Sequence, residues 1–150
     1  MDKEHQTLTS AEFIHQFFAQ MQAIDKTFDI YAKKLGLNYI SLLVLEYIYE
    51  NPEHCTQKKI VEATFSPKQT VNLIVKSFWQ QGYLKLKETP ADRRNKEIFL
   101  TAAGKSYAER ILRPVYKAEE DAVGHMTEEE RKTMLQCTSL YAEKFREWLL

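Results

Sequence analysis

Only two cysteines, four glycines and four prolines occur in these 150 residues. The two cysteines, Cys55 and Cys137, exclude a disulfide framework as the source of stability. Little glycine and proline beside 28% charged residues favours a helix-rich chain over a loop-rich one. Net charge is lacking too, with 21 basic residues against 21 acidic ones. No apolar run is long enough to span a bilayer, and the polar start Met1-Asp2-Lys3-Glu4-His5-Gln6 is unlike a signal peptide. A cytoplasmic protein with no membrane partner is expected. There is no nucleophile elbow, phosphate-cradling glycine loop or metal-ligand triplet, which argues against an enzyme and against a bound cofactor. His5, His15, His54 and His125 are scattered with no pair at helical ligand spacing, so no metal site is expected.

The charge is balanced overall but not locally. From Ser66 to Lys96, seven basic residues (Lys68, Lys76, Lys85, Lys87, Arg93, Arg94, Lys96) face two acidic ones (Glu88, Asp92), whereas from Lys117 to Glu130 six acids face one base. One basic region of this kind suits a phosphate-bearing partner.

The helix punctuation is legible. Thr9-Ser10-Ala11-Glu12 reads as a capping box that opens a long first helix, with Phe13, Phe17, Met21, Ile24, Phe28 and Tyr31 at helical spacing and Gly36 placed to end it. Asn38 caps a second helix carrying Leu42, Leu45 and Ile48, and Thr56 caps a short third helix through Ala63. Ser66-Pro67-Lys68-Gln69 opens a fourth, with Ser66 at the cap and Pro67 at the first helical position; it runs to Gln81 and stops at Gly82. Two strand-like runs follow, Tyr83 to Lys87 and Lys96 to Leu100, separated by a turn that begins at Thr89-Pro90-Ala91. Thr101 caps a fifth helix, in which Pro114 predicts a kink or break near Leu112-Arg113. Thr127-Glu128-Glu129-Glu130 is a second capping box, opening a last helix with Met134, Cys137, Tyr141 and Trp148 on one stripe. The fold expected is mostly α with a small β-hairpin.

On the fourth helix Val71, Ile74, Val75 and Phe78 fall on one side and must pack inward. Gln69, Asn72, Lys76 and Gln80 fall on the other, flanked by Lys68 and Thr70. The plain interpretation is a solvated helix face. The residue types also suit DNA: Asn and Gln can bond an adenine edge twice, Thr can touch a thymine methyl, and Lys reaches guanine or phosphate. Lys68, beside a helix N-terminus, would add a phosphate contact. The hairpin tip carries Asp92-Arg93-Arg94. It is either a charged solvated turn or a loop whose guanidinium groups enter a minor groove, with Asp92 pairing with Arg94 to hold the loop and leave Arg93 free.

Asp92, Arg94, Leu100, Thr101 and Gly104, at this spacing and behind a polar helix opened by Ser66-Pro67, resemble the MarR family of winged helix-turn-helix transcriptional regulators. The resemblance covers nearly the whole chain as a single domain, with residues 36–100 as the DNA-binding lobe and residues 1–35 and 101–150 as the helical dimerisation region. It implies a bacterial homodimer that binds a double-stranded operator, with Ser66, Lys68, Gln69, Thr70, Asn72 and Lys76 in the major groove and Arg93 and Arg94 in the minor groove. Repression is the family default. The resemblance also implies release by a small aromatic or phenolic effector in a cleft that Phe17, Met21, Phe28, Tyr39 and Tyr47 could line; the alternative for each is plain core. Many relatives carry a basic residue where this chain has Leu73 and Ser77, and an acidic one where it has Trp79. The apolar excess of the first and last helices, including Trp148-Leu149-Leu150, independently favours a two-fold dimer and a pseudo-palindromic site with half-sites about 10 bp apart.

Two alternatives remain open from the sequence. A winged helix can bind protein instead of DNA, since fold does not fix function. Cys55, ahead of the third helix, could be a redox-sensing thiolate if a helix N-terminus lowers its pKa, or a small buried hydrophobe. Cys137, on the apolar stripe of the last helix, is expected to pack.

Overall fold

In a computed structural model, residues 8–89 and 92–150 are described, with side chains described throughout except at Thr89 and residues 92–95. The elements in chain order are α1 (Ser10–Lys34), α2 (Tyr39–Glu50), α3 (Gln57–Thr64), α4 (Lys68–Gln80), β1 (Leu84–Thr89), β2 (Asp92–Leu100), α5 (Ala102–Gly124) and α6 (Glu128–Leu149). The expected mostly α fold with one small hairpin is observed. No helix among the described residues is long and apolar enough to cross a membrane.

Local chemistry sets most boundaries. Thr9 caps α1 by accepting from the Glu12 amide while the Glu12 carboxylate accepts from the Thr9 amide and hydroxyl, and these two bonds hold the Glu12 carboxyl below the usual carboxylate range. The same reciprocal box at Thr127 and Glu130 opens α6. Asn38 and Thr56 cap α2 and α3 as the sequence predicts. Gly36 and Gly82, at φ of 72° and 78°, end α1 and α4 in the left-handed conformation, and in both the next residue donates back to the carbonyl five positions earlier.

Of the expected helix boundaries, the cap of α4 differs, and α5 shows no break. Ser66 does not cap α4: Pro67 holds that position with ψ 134°, its carbonyl accepts from Val71, and no side chain caps the helix. The Ser66 hydroxyl donates instead to the Thr64 carbonyl at 3.2 Å, a local side-chain-to-backbone bond that competes with capping. Nor does Pro114 break α5, which is continuous from Ala102 to Gly124. An interior proline costs about 3 kcal/mol. Ala108, Ile111, Leu112 and Val115, at helical spacing around it, are all buried. At roughly 1.5–3 kcal/mol for each large aliphatic side chain, their burial exceeds that cost.

The chain forms two compact units, Met1–Lys105 and Ser106–Leu150. In the first, α2, α3 and α4 pack on one another and on the hairpin. Their core is Leu42, Val44, Leu45 and Ile48 from α2, Ile60 from α3, Val71, Ile74, Val75 and Phe78 from α4, and Leu84 and Ile98 from the strands. The antiparallel register pairs Leu84 with Leu100 and Leu86 with Ile98, then shifts between Lys87 and Thr89. The strands extend beyond the expected runs, with β2 beginning at Asp92. A short stretch ahead of α3 joins the sheet: Ile98 donates to the Cys55 carbonyl at 2.8 Å, and Thr56 bridges Glu97. In the second unit, α6 has no buried residue, and Cys137, expected to pack, is exposed in the single chain.

The end of α4, the start of the hairpin and the start of α5 meet at a close backbone crossing. The Thr101 hydroxyl donates to the Gly82 carbonyl at 2.7 Å and accepts from the Gly104 amide at 2.9 Å, while the Thr101 amide donates to Tyr83 at 3.0 Å. A Cβ on Gly104 would lie 2.0 Å from the Tyr83 carbonyl oxygen and 3.1 Å from a Leu100 methyl. That close approach leaves room only for glycine at position 104. Because the obstacle is backbone, Gly104→Ala is expected to destabilise by about 3 kcal/mol, at the upper end for overpacking, with thermal unfolding roughly 10 °C earlier. An unchanged melting temperature would show that the crossing relaxes freely.

Candidate nucleic-acid interface

The α4 helix is fixed by its apolar side. With Val71, Ile74, Val75 and Phe78 buried, the opposite face must point outward. Gln69, Asn72 and Lys76 are exposed on it, as are Leu73, Ser77 and Gln80, and Lys68 is exposed on its flank. Thr70 is half-buried on the flank. Ser66 is only 7% exposed, with its proton committed to the turn, so it stands apart from the other candidates. Gln69 and Lys76 are seven residues apart, about 10 Å along the helix, the length of three base steps. Among the described residues Lys68 and Lys76 have no carboxylate partner. Their charge is available to an external anion.

Asn72 is oriented by a residue that sequence reasoning missed. The Gln57 side-chain amide, at the start of α3, donates to Asn72 Oδ1 at 3.1 Å. The carbonyl oxygen keeps a second lone pair and the amide keeps its donors, the combination that an adenine edge requires. The bond spans fifteen residues, and no local motif signals it. Phe65, between α3 and α4, is 93% exposed and left-handed at φ 50°.

In the hairpin, Lys85 and Lys87 are exposed, and Lys96 pairs with Glu88 at 3.2 Å. The backbone of Asp92, Arg93 and Arg94 lies at the start of β2, but their side chains are outside the described residues, and with them the expected pairing of Asp92 with Arg94. The base of the hairpin is tied to the loop ahead of α3 by His54, whose Nδ1 lies 2.9 Å from a Glu97 carboxylate oxygen.

Of the five candidate effector-cleft residues, the structure brings two together. Phe28 of α1 and Tyr39 of α2 stack with ring centroids 5.8 Å apart and 13° between planes. The Tyr39 hydroxyl donates to Asp25 at 3.2 Å, and burial, followed by the Asp25 and Glu46 charges, pushes its pKa up. Phe17 is elsewhere. It stacks on Phe13 and meets Phe18 edge-on, eleven residues and about 16 Å along α1 from Phe28. Met21 is 43% exposed, and Tyr47 is half-buried on α2.

Cys55 is a core residue, 1% exposed, with its thiol pushed up to about 11 by burial while Lys59 pulls the other way. The redox alternative loses its basis, because at pH 8 only about one molecule in a thousand would carry the thiolate. In a Cys137→Ser variant, Cys55 is expected to resist a thiol-disulfide reagent in the native state at pH 8 and to react stoichiometrically once denatured. Rapid reaction of the native variant would restore the sensor reading.

The geometry is that of a helix-turn-helix followed by a hairpin, and comparisons with known proteins agree. A family model described as the MarR family matches residues 35–95. The chain is similar to NMB1585, a MarR family regulator from Neisseria meningitidis, at 25% identity and a TM-score of 0.75, covering 91% of this chain and 95% of that one. It also shares its fold with MepR of S. aureus, solved as a DNA complex (19% identity, TM-score 0.72, 89% and 97% covered). Sco3205, a MarR family transcriptional regulator from Streptomyces coelicolor solved in complex with DNA, is similar too (18% identity, TM-score 0.72, 95% and 92% covered). No curated protein matches at a significant level. Residues 35–95 thus match the MarR family model, in a chain whose fold is that of the MarR family transcriptional regulators.

Proposed function

We propose that this protein is a homodimeric, sequence-specific DNA-binding transcriptional regulator, acting by default as a repressor. The observation that carries the reading is the outward face of α4, on which Gln69, Asn72 and Lys76 are presented together by a buried apolar stripe, with Lys68 exposed on its flank. Gln69 and Asn72 would read base edges in the major groove, with Thr70 and Lys76 beside them, while Lys68 anchors a phosphate and Ser66 contributes at most through its backbone. Arg93 and Arg94 would enter the adjacent minor groove, with Asp92 shaping the loop. Relatives of the same fold solved with DNA support this assignment.

A second copy of the chain is the partner that best covers the terminal helices. Phe13, Ile14, Phe18, Met21 and Ile24 on α1 are each more than 40% exposed, and so are Met134, Leu135, Leu140, Phe145 and Trp148 on α6. Apolar surface on this scale is costly in water and is removed by a two-fold interface, which also suits a pseudo-palindromic operator. The division of labour would follow residues 36–100 for DNA and residues 1–35 and 101–150 for dimerisation. Release by a small aromatic or phenolic effector follows from the family resemblance, and the stacked Phe28–Tyr39 pair is the place where such a ring would be received. A ligand there acts only through unequal affinity for dimer states with different recognition-helix spacing.

The test is fluorescence anisotropy with the DNA upstream of the protein's own gene, at two salt concentrations, with scrambled DNA as competitor. Binding is expected at two chains per duplex, to resist competitor and to weaken steeply with salt. Lys68→Ala should weaken binding to every duplex and lower the salt slope by about 0.9 for each phosphate that is no longer neutralised. Binding to neither duplex at either salt would count against the DNA reading and in favour of a winged-helix adaptor for another protein.

A further inference from the structure

Leu73 occupies the most conspicuous position on α4. Taken at 100° per residue, the direction opposite the buried Val71, Ile74, Val75 and Phe78 passes between Gln69, Leu73, Lys76 and Gln80. Leu73 lies one turn beyond Gln69 and one turn before Lys76, so the three side chains are surface neighbours. It is 68% exposed, an aliphatic group at the centre of a polar face, and it contributes nothing to the core.

We propose that Leu73 is a specificity-determining residue that packs against the methyl group of a thymine in the major groove; this rests on α4 being the DNA-reading helix. The thymine methyl is the one apolar feature that base edges present in that groove. An aliphatic side chain at the same place leaves the acceptors of a guanine edge and the donor of a cytosine edge without partners, and stripping water from an unsatisfied polar group disfavours those bases. Asn72, oriented by Gln57, is adjacent in sequence and favours adenine. The two residues together specify a half-site with A·T pairs at neighbouring positions. Leu73 thus supplies discrimination by shape and desolvation, in favour of thymine, where a cation would favour guanine or phosphate.

The experiment uses a duplex selected by the purified full-length protein from a random library. Each thymine is replaced singly by deoxyuridine, which removes the methyl and keeps every hydrogen-bonding group. Binding is measured for the parent, for Leu73→Ala and for Thr70→Ser, in which the other nearby methyl is removed. Leu73→Ala takes nothing from the core and raises helix propensity, so it folds. One thymine per half-site is expected whose replacement weakens the parent roughly three- to five-fold, the effect of one buried methyl. Leu73→Ala should bind the thymine duplex more weakly than the parent and treat thymine and uracil alike there, while Thr70→Ser keeps the discrimination. A parent indifferent to uracil at every position overturns the inference, as does Leu73→Ala with undiminished discrimination. Recovery of no duplex at all removes the DNA reading itself.

Discussion

The burial of one face of α4 is the constraint on which the site depends. Val71, Ile74, Val75 and Phe78 are each less than 10% exposed, at roughly 1.5–3 kcal/mol apiece. Rotating the helix by a single residue would expose part of that stripe and push polar side chains inward, where an unpaired amide or ammonium is strongly disfavoured. The helix therefore has one rotational setting. Which residues meet an external partner is decided by packing, before any partner arrives.

The second requirement is that the hairpin keep a fixed relation to that helix. Three backbone segments converge at Gly82, Tyr83 and Gly104, and one threonine hydroxyl serves as donor to one and acceptor from another. The far side of the hairpin is held by Ile98 bonding to Cys55 and by His54 beside Glu97. The base of the hairpin is thus anchored on both strands. Cys55 takes part through its backbone carbonyl while its side chain fills core, which accords with the second of the two roles, thiolate or buried hydrophobe, that its sequence position left open.

Much of this is legible in the chain because it is local. Capping boxes, left-handed glycines and the period of the α4 stripe each depend on residues within a turn or two, and each appears where expected. What escapes is non-local or a balance of terms. The Ser66 hydroxyl bonds a carbonyl of the preceding helix in place of the amides of its own. Pro114 is tolerated because neighbouring side chains are buried, which sequence does not reveal. Gln57 meets Asn72 only once α3 and α4 have packed. Leu73 reads in sequence as a departure from the family's basic residue, although the helical period already places it at the centre of the outward face. Among the aromatics considered for an effector cleft, spacing alone does not tell that Phe28 and Tyr39 stack while Phe17 belongs to a different cluster on α1.

The claim that the outward face of α4 meets DNA is tested most directly by proximity. A photoreactive side chain placed at Gln69, and in a separate protein at Glu143 on exposed α6, is irradiated with the selected duplex bound. Crosslinks from position 69 to bases within the half-site, and none from position 143, are the predicted result. Crosslinks from position 143 with none from position 69 would contradict it and place the nucleic acid on another surface.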